Sequence, residues 1–217
     1  MNNLNGIKII LVDDHKLLRD GLRNIIEQKS NMHVVGEASD GREAIKICSK
    51  ILPNVVVIDV AMPGLNGVEA TRQIIKECPK TKIIGLSMHS SKQFIQGMFK
   101  AGAYGYLLKD GDSDELITAI TTVMENKKYL SKDIDQEYLS ALKKGETIED
   151  VELSSREKEV LQLVTEGKSS KEIGVLLFLS PKTIDVHRNN IMKKIDLHTI
   201  PELTKYAIQK GLTTLDF

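Results

Sequence analysis

The sequence predicts an α/β doubly wound domain with a five-stranded parallel sheet, followed by a second, smaller all-α domain. Up to about residue 125, five short apolar runs alternate with longer segments of helical period. This alternation is typical of a parallel sheet that is covered by helices on both faces. The first and third runs are rich in β-branched residues, as in strands that are buried on both sides. From residue 153 onward, only helical periodicity is present.

Each element of the first domain follows from its local pattern. The strands are predicted at residues 7–12, 33–38, 55–59, 82–88 and 105–108, and the helices near residues 15–28, 40–51, 67–77, 91–101 and 112–125. Asp112 is the predicted N-cap of the last helix, and acidic residues in its first turn favour the positive end of the helix dipole. Glycines mark the turns, at Gly41, Gly64, Gly67 and Gly102.

The second half of the chain is predicted to be helical after a polar segment. The helices are predicted at residues 155–166, 170–178, 181–195 and 201–210. Only Leu179 and Ser180 connect the second and third of these helices, and Pro181 occupies the first position of the third. Such a short connection predicts a helix-turn-helix, whose second helix lies in the major groove of DNA.

These patterns divide the chain into a first domain at residues 1–126, a linker at 127–152 and a second domain at 153–217. The linker is mostly polar, with one short amphipathic piece around residues 134–142.

Composition is that of an ordinary globular protein. The 217 residues carry 30 basic and 30 acidic side chains, so the formal net charge is zero. The neutral total hides an acidic linker region between two slightly basic parts, so it is weak evidence against nucleic-acid binding. No apolar run is long enough to cross a bilayer, and we expect a cytoplasmic protein without a membrane partner. Cys48 and Cys78 fit no metal-binding spacing and are expected to be reduced.

Three aspartates stand where predicted strands end. Asp13 and Asp14 follow the first strand, and Asp59 ends the third. The carboxyl ends of parallel strands meet at one edge of the sheet, so these carboxylates would lie together and repel one another. A cation relieves that repulsion, and hard oxygen ligands suit Mg²⁺.

Two more strand ends carry polar groups of a different kind. Ser87 lies near the end of the fourth strand, and Lys109 follows the fifth. A metal, a lysine and a hydroxyl together can neutralise a transferring phosphoryl group, which a carboxylate attacks in line. Asp59 is the predicted nucleophile. Taken singly, an aspartate at a strand end is usually a turn former, Lys109 a solvated charge and Ser87 a satisfied hydroxyl. The joint pattern favours the functional interpretation.

Residues 1–125 resemble the receiver domain of two-component response regulators. The matching residues are Asp13, Asp14, Asp59, Met62, Pro63, Gly64, Gly67, Ser87, Ala101, Gly102, Ala103, Tyr106 and Lys109. The resemblance implies a flavodoxin-like sheet and implies that Asp59 accepts a phosphoryl group from a sensor histidine kinase. The sequence differs from many receivers at Asp110, where proline is common.

The same resemblance implies the roles of the other residues at the sheet edge. Asp14, Asp59 and the carbonyl of Ala61 would hold Mg²⁺, with Asp13 reaching it through water. Phosphoryl oxygens would be bound by Lys109, by Ser87 and by the main-chain amide of Met88. Ser87 and Tyr106 would form a switch pair, in which the hydroxyl moves to the phosphate while the ring turns inward.

The second domain resembles the LuxR-type DNA-binding domain across residues 153–212, and the whole chain resembles response regulators of the NarL/FixJ type. The residues in DNA-contact positions are Lys182, Thr183, Asp185, Val186, Arg188, Asn189, Lys193 and Lys194. The family reads bases at Asp185, Val186 and Asn189, and the others are in positions for phosphate contacts. Asp185 is acidic where a basic residue is common, so its role is either base readout or that of a solvated side chain.

The predicted function is a transcription regulator that phosphorylation activates, with a sensor histidine kinase as its input. Its output would be a homodimer bound to double-stranded promoter DNA, with RNA polymerase as a further partner. Leu203, Tyr206 and Ala207 on the last helix form either a dimer surface or part of the core. The alternative is a regulator that acts through protein contacts without sequence-specific DNA binding.

We predict no enzymatic turnover beyond Mg²⁺-dependent phosphorylation and dephosphorylation of the chain itself. The enzyme alternative, an aspartyl-nucleophile phosphatase, usually has a second carboxylate two residues after the nucleophile, and Ala61 occupies that position.

Overall fold

The structure is a computed structural model that describes residues 6–88, 92–134 and 153–213. The chain separates into two compact units, at residues 1–142 and 143–217. The amphipathic piece predicted around residues 134–142 lies outside the described residues, apart from Ile134. Among the helices of the described ranges, none combines the length and the apolar character that crossing a bilayer requires.

Within the described residues, the N-terminal unit contains a parallel sheet of six strands, not five. Its strands are β1 Ile7–Val12, β2 Met32–Ala38, β3 Val55–Asp59, β4 Lys82–Ser87, β5 Gly105–Leu108 and β6 Tyr129–Leu130, in the spatial order β2-β1-β3-β4-β5-β6. The sequence predicted β1 to β5, but β6 is too short for its periodicity to show. The predicted five-stranded sheet is therefore corrected to six strands.

The new strand lies in the segment predicted as linker, and a buried carboxylate holds it there. Glu115 accepts hydrogen bonds from the Tyr129 hydroxyl at 3.1 Å, the Ser131 hydroxyl at 2.8 Å and the Lys132 amide at 2.9 Å. Ile134 is buried in the core of the same unit. The packing of the N-terminal unit thus continues to residue 134.

In the part of this unit that the structure describes, five helices cover the two faces of the sheet. They are α1 Lys16–Glu27, α2 Gly41–Ile51, α3 Gly67–Glu77, α4 Lys92–Ala101 and α5 Ser113–Met124. Alternate residues of a strand point to opposite faces. Accordingly, Ile9 and Leu11 pack in a core with residues of α1 and α5, whereas Ile10 and Val12 pack with residues of α2, α3 and α4. Both faces are covered, so polar side chains of these strands concentrate at the strand ends.

In the described part of the C-terminal unit, every regular element is a helix. Its helices are α6 Ser155–Thr165, α7 Ser170–Leu177, α8 Pro181–Ile195 and α9 Ile200–Gln209. Phe178 ends α7 in the left-handed conformation, with a φ of 55°, and Ser180 caps α8 by accepting from the Thr183 amide. The chain therefore turns sharply between α7 and α8, as the helix-turn-helix prediction requires.

The core of the C-terminal unit includes the apolar face of its last helix. Ile184 and Ile191 of α8 are buried, as predicted. Leu203 and Ala207 of α9 are buried in the same core, and Tyr206 packs against it. For Leu203 and Ala207 the structure therefore supports the core interpretation, whereas Tyr206 is only half-buried.

Candidate functional site

The three aspartates meet at the carboxyl edge of the sheet. Carboxylate oxygens of Asp13, Asp14 and Asp59 and a ring nitrogen of His15 lie within 4.8 Å of one another. Asp13 and Asp59 are buried, and Asp14 is exposed. The parallel arrangement of β1 beside β3 produces this cluster, because both strands end at the same edge.

Lys109 joins the buried carboxylates. Its Nζ lies 2.8 Å from Oδ2 of Asp13 and 2.8 Å from Oδ2 of Asp59, and its side chain is only 8% exposed. Both contacts are charge-assisted, because the ammonium group lies at hydrogen-bonding distance from each carboxylate oxygen. One lysine therefore serves two buried anions.

Asp59 is in an environment that opposes its ionisation. Burial raises the pKa of Asp59 from 3.8 to about 6, and the charge of Lys109 counteracts part of this rise. Its Oδ1 accepts a hydrogen bond from the Ala61 amide at 3.1 Å. The carboxylate is thus mainly ionised at neutral pH but takes up a proton more readily than an exposed aspartate does.

The loop after Asp59 is folded back onto the site. The Gly67 amide donates to the Val60 carbonyl at 3.0 Å, at the start of α3. A Cβ atom at Gly67 would collide with the carbonyl oxygen of Asp59. A glycine is therefore required here for close approach of α3 to the strand end.

Ser87 and Tyr106 are both fully buried on neighbouring strands. The Lys109 amide donates to the Ser87 carbonyl at 2.9 Å, which ties the lysine to the end of β4. Met88 follows Ser87 directly, and its side chain is exposed. The Tyr106 ring is buried in this structure, and its predicted movement together with Ser87 stays a prediction.

His15 also approaches the cluster. Its Nδ1 lies 3.0 Å from Asp14 Oδ1 and 3.2 Å from Asp13 Oδ1, while its amide donates to Asp13 Oδ1 at 2.8 Å. His15 is also the N-cap position of α1. Its position after two adjacent aspartates was the available signal for its proximity to them.

The predicted DNA-contact residues lie on α8, and most of them are open to solvent. The exposed ones are Lys182, Asp185, Val186, Asn189, Lys193 and Lys194. Thr183 and Arg188 are half-buried. Lys194 forms an ion pair with Glu157 of α6 at 2.8 Å, so its ammonium group faces its own unit.

Ser170, which sequence reasoning missed, connects α7 with α8. Its hydroxyl donates to Asp185 Oδ1 at 2.6 Å and accepts from Arg188 Nη1 at 3.1 Å. Asp185 is thus neither a free base reader nor simply solvated in this structure. A serine at the first position of a helix is common, so its sequence position carried no signal for this bridge.

Comparison with known families agrees with both units. Residues 9–121 match the family described as response regulator receiver domain, and residues 151–207 match bacterial regulatory proteins of the luxR family. The receiver match alone covers more than half of the chain.

Similar proteins span the chain almost completely. Response regulator UvrY of Escherichia coli (strain K12) is 38% identical over 208 residues, 95% of each chain. Oxygen regulatory protein NreC of Staphylococcus haemolyticus (strain JCSC1435) is 35% identical over 219 residues, 97% of this chain and all of that protein.

A solved structure of RcsB from Salmonella enterica serovar Typhimurium, bound to promoter P1flhDC in the presence of phosphomimetic BeF3-, is 28% identical, with a TM-score of 0.61. The match covers 96% of this chain and all of that one. The chain therefore belongs to the NarL/FixJ-type response regulators of two-component systems, which join a receiver domain to a LuxR-type DNA-binding domain.

Proposed function

We propose that the chain is a DNA-binding regulator that is switched by phosphorylation of Asp59. The observation that carries this proposal is the position of Lys109 Nζ, 2.8 Å from both Asp13 and Asp59. Lys109 neutralises the carboxylates of Asp13 and Asp59. It is therefore in position to bind an oxygen of an incoming phosphoryl group.

Asp59 would act as the nucleophile. One of its carboxylate oxygens attacks phosphorus in line, the bond from phosphorus to the phosphohistidine nitrogen of a sensor kinase breaks, and an aspartyl phosphate forms. The Ala61 amide and Lys109 each hold one oxygen of Asp59, which fixes the plane of the carboxylate before reaction. This preorganisation lowers the cost of orienting the nucleophile.

The donor set fits Mg²⁺. Asp14, Asp59 and the Ala61 carbonyl would hold the ion, with Asp13 contributing through water. The fit is supported by the cluster itself, in which carboxylate oxygens of Asp13, Asp14 and Asp59 lie within 4.8 Å of one another, and by the solvent-accessible carboxylate of Asp14. Bound there, Mg²⁺ supplies positive charge that stabilises the transferring phosphoryl group.

The remaining polar groups would bind the phosphoryl oxygens and change their arrangement when Asp59 is phosphorylated. Lys109, the Ser87 hydroxyl and the Met88 amide surround the acceptor edge. Movement of Ser87 toward the phosphate would then favour the buried position of Tyr106 on the adjacent strand. A shift in the balance between these two arrangements is the form that such a switch takes.

The output would be a homodimer that binds an inverted repeat in promoter DNA, with two copies of α8 about one helical turn apart. Lys182, Thr183, Arg188 and Lys193 would contact phosphates, and Val186 and Asn189 would contact bases. We assign Lys194 a weaker role than predicted, because Glu157 engages its ammonium group. A sensor histidine kinase and RNA polymerase are the proposed protein partners.

We propose no enzymatic turnover on other substrates. The side chain of Ala61 offers no acid or base two residues after the nucleophile, where an aspartyl-nucleophile phosphatase needs one. Chemistry at this site would then be limited to the chain's own Mg²⁺-dependent phosphorylation and dephosphorylation.

Labelling with a radioactive small phosphodonor tests the acceptor assignment. The wild-type chain should incorporate phosphate only when Mg²⁺ is present, and hydroxylamine should release it. Asp59→Asn should abolish labelling. Asp110→Asn, which changes an exposed carboxylate beside Lys109, should leave labelling unchanged. Equal labelling of Asp59→Asn and wild type would overturn the assignment.

A regulator that works through protein contacts is the second candidate, and two observations favour it. The carboxylate of Asp185 lies on the exposed side of α8, where it would repel phosphates. Val175, Leu176 and Phe178 are exposed apolar residues of the same unit. Footprinting on genomic fragments separates the candidates: protected sites whose affinity falls steeply with salt support DNA binding, and their absence supports the alternative.

A further inference from the structure

The main chain of Asp13 is held from two sides. Its amide donates to the Ala38 carbonyl at 3.2 Å, and its carbonyl accepts from Nη1 of Arg19 at 2.5 Å. We propose that Arg19 is a positioning residue, which orients the acidic pair Asp13-Asp14 toward Mg²⁺ through this contact with the Asp13 carbonyl. The inference rests on the proposed function, because it concerns the affinity of the site for that ion.

Arg19 can orient the acidic pair because its own position is fixed. Its Nε donates to Oε2 of Glu37 at 3.2 Å, and its side chain is only 12% exposed. Its amide donates to the His15 carbonyl at 3.2 Å, within the first turn of α1. The guanidinium group therefore connects α1, the end of β1 and the end of β2.

A β-bulge in β2 places Glu37 where Arg19 can reach it. Ile9 pairs with Val34 and Ile10 pairs with Gly36, so Val35 is an extra residue in β2. Such an insertion exchanges the two faces for every side chain that follows.

The burial pattern of β2 shows this exchange. Met32 and Val34, before the bulge, pack in the core that contains α1, whereas Ala38, after the bulge, packs in the opposite core. Glu37 alternates with Ala38 and therefore lies on the face of α1. Without the extra residue, Glu37 would lie on the opposite face of the sheet from Arg19.

Glu37 is shared between two arginines. Arg23 donates from Nε at 2.8 Å and from Nη2 at 2.6 Å to Oε1, while Arg19 uses Oε2. The hydrogen bond from Arg23, together with that from Arg19, lowers the pKa of Glu37, so this carboxylate stays ionised at neutral pH. The remaining hydrogen bonds of Arg23 go to Glu27 and to the Val34 carbonyl.

This sharing provides a matched control. Arg19→Gln and Arg23→Gln each remove a cation from Glu37, but only Arg19→Gln removes a donor to the Asp13 carbonyl. Groups that orient metal ligands typically contribute 10- to 100-fold to metal affinity. We expect Arg19→Gln to raise the dissociation constant for Mg²⁺ about tenfold, and Arg23→Gln to raise it less than about twofold.

The experiment uses the full chain and measures Mg²⁺ binding by isothermal titration and Mg²⁺-dependent labelling by a small phosphodonor. In Arg19→Gln, the Mg²⁺ concentration that gives half-maximal labelling should rise about tenfold, while the rate at saturating Mg²⁺ stays within about twofold of wild type. A general loss of stability would instead lower the rate at every Mg²⁺ concentration. The thermal midpoints of both variants provide that comparison.

Equal effects of the two substitutions, or no effect of Arg19→Gln, would overturn the positioning role while leaving Mg²⁺ binding by the wild type intact. A wild-type chain that binds no Mg²⁺ and accepts no phosphate would overturn the proposed function itself, and the positioning role with it. The two failures are therefore distinguishable from the wild-type measurement.

Discussion

The receiver and the DNA-binding domain each contain a lysine 2.8 Å from a carboxylate, in opposite surroundings. Lys109 is 8% exposed and serves two buried aspartates, whereas Lys194 is 45% exposed beside the buried carboxylate of Glu157. Without Lys194, Glu157 keeps the hydrogen bonds from the Ser154 amide and hydroxyl, whereas Lys109 is the cation that both aspartates share. Burial, rather than distance, therefore decides what a charge pair contributes to stability.

Removing each lysine should show the difference most clearly. Lys109→Met leaves Asp13 and Asp59 buried without a cation, which should lower the free energy of unfolding by about 3 kcal/mol at pH 8 without divalent cations. Lys194→Met should lower it by roughly 0.5 kcal/mol. Urea denaturation followed by circular dichroism measures both losses. Similar losses would show that burial does not set the contribution of these two charge pairs. Added Mg²⁺ should restore part of the loss in Lys109→Met only.

The carboxylates of the two domains offer a second, smaller contrast. Glu115 is buried and accepts three hydrogen bonds, so Glu115→Gln should cost about 1–2 kcal/mol because at least one donor loses its acceptor. Glu172, in the exposed capping box of α7, accepts two hydrogen bonds from Ser169. Glu172→Gln should lower the thermal midpoint less. Faster hydrogen exchange at the Tyr129 and Ser131 amides in Glu115→Gln would locate the effect at β6, and unchanged exchange would contradict it.

The sequence predicts the features that a local pattern specifies, and it does not predict those that depend on residues distant in the chain. Strands β1 to β5 and the residues at their ends are predicted because buried β-branched runs have few alternative structures. The strand β6 is not predicted, because two residues carry no period and their position depends on Glu115, which is distant in sequence. The role of Arg19 is not predicted for a similar reason. It depends on a β-bulge at Val35, which no local sequence pattern indicates.

The helix boundaries of the DNA-binding domain are predicted well, because its capping residues are local signals. Ser154, Ser169 and Thr199 each form a capping box with a glutamate three residues later. The contacts between helices, in contrast, are not predicted from the sequence. The bridge from Ser170 to Asp185 and Arg188 joins side chains 15 and 18 residues apart, and hydroxyls form such bonds in many contexts.

The affinity for Mg²⁺ at the buried acceptor, Asp59, should also depend on pH. The pKa of Asp59 is raised to about 6, chiefly by burial, so the folded chain holds this proton up to a higher pH than an exposed aspartate does. Mg²⁺ must displace that proton, and its affinity should therefore fall about tenfold for each pH unit below about 6. Isothermal titration at several pH values measures this. An affinity that stays constant down to pH 5 would show that Asp59 remains ionised over that range. This result would contradict a pKa of Asp59 that is raised by burial.

The smallest expected effect lies on the exposed helix. If Ser170 holds Asp185 beside Arg188, the negative charge of Asp185 is partly neutralised and kept away from the DNA backbone. Ser170→Ala should then weaken DNA binding about threefold, and Ser170→Thr, which keeps the hydroxyl, should not. In an Asp185→Ala background the same change at Ser170 should have little further effect, because the carboxylate that it restrains is gone. Fluorescence anisotropy with a footprinted site measures all four variants against wild type. Additive losses would mean that the two residues act separately, and that Asp185 faces DNA unrestrained despite the 2.6 Å bridge.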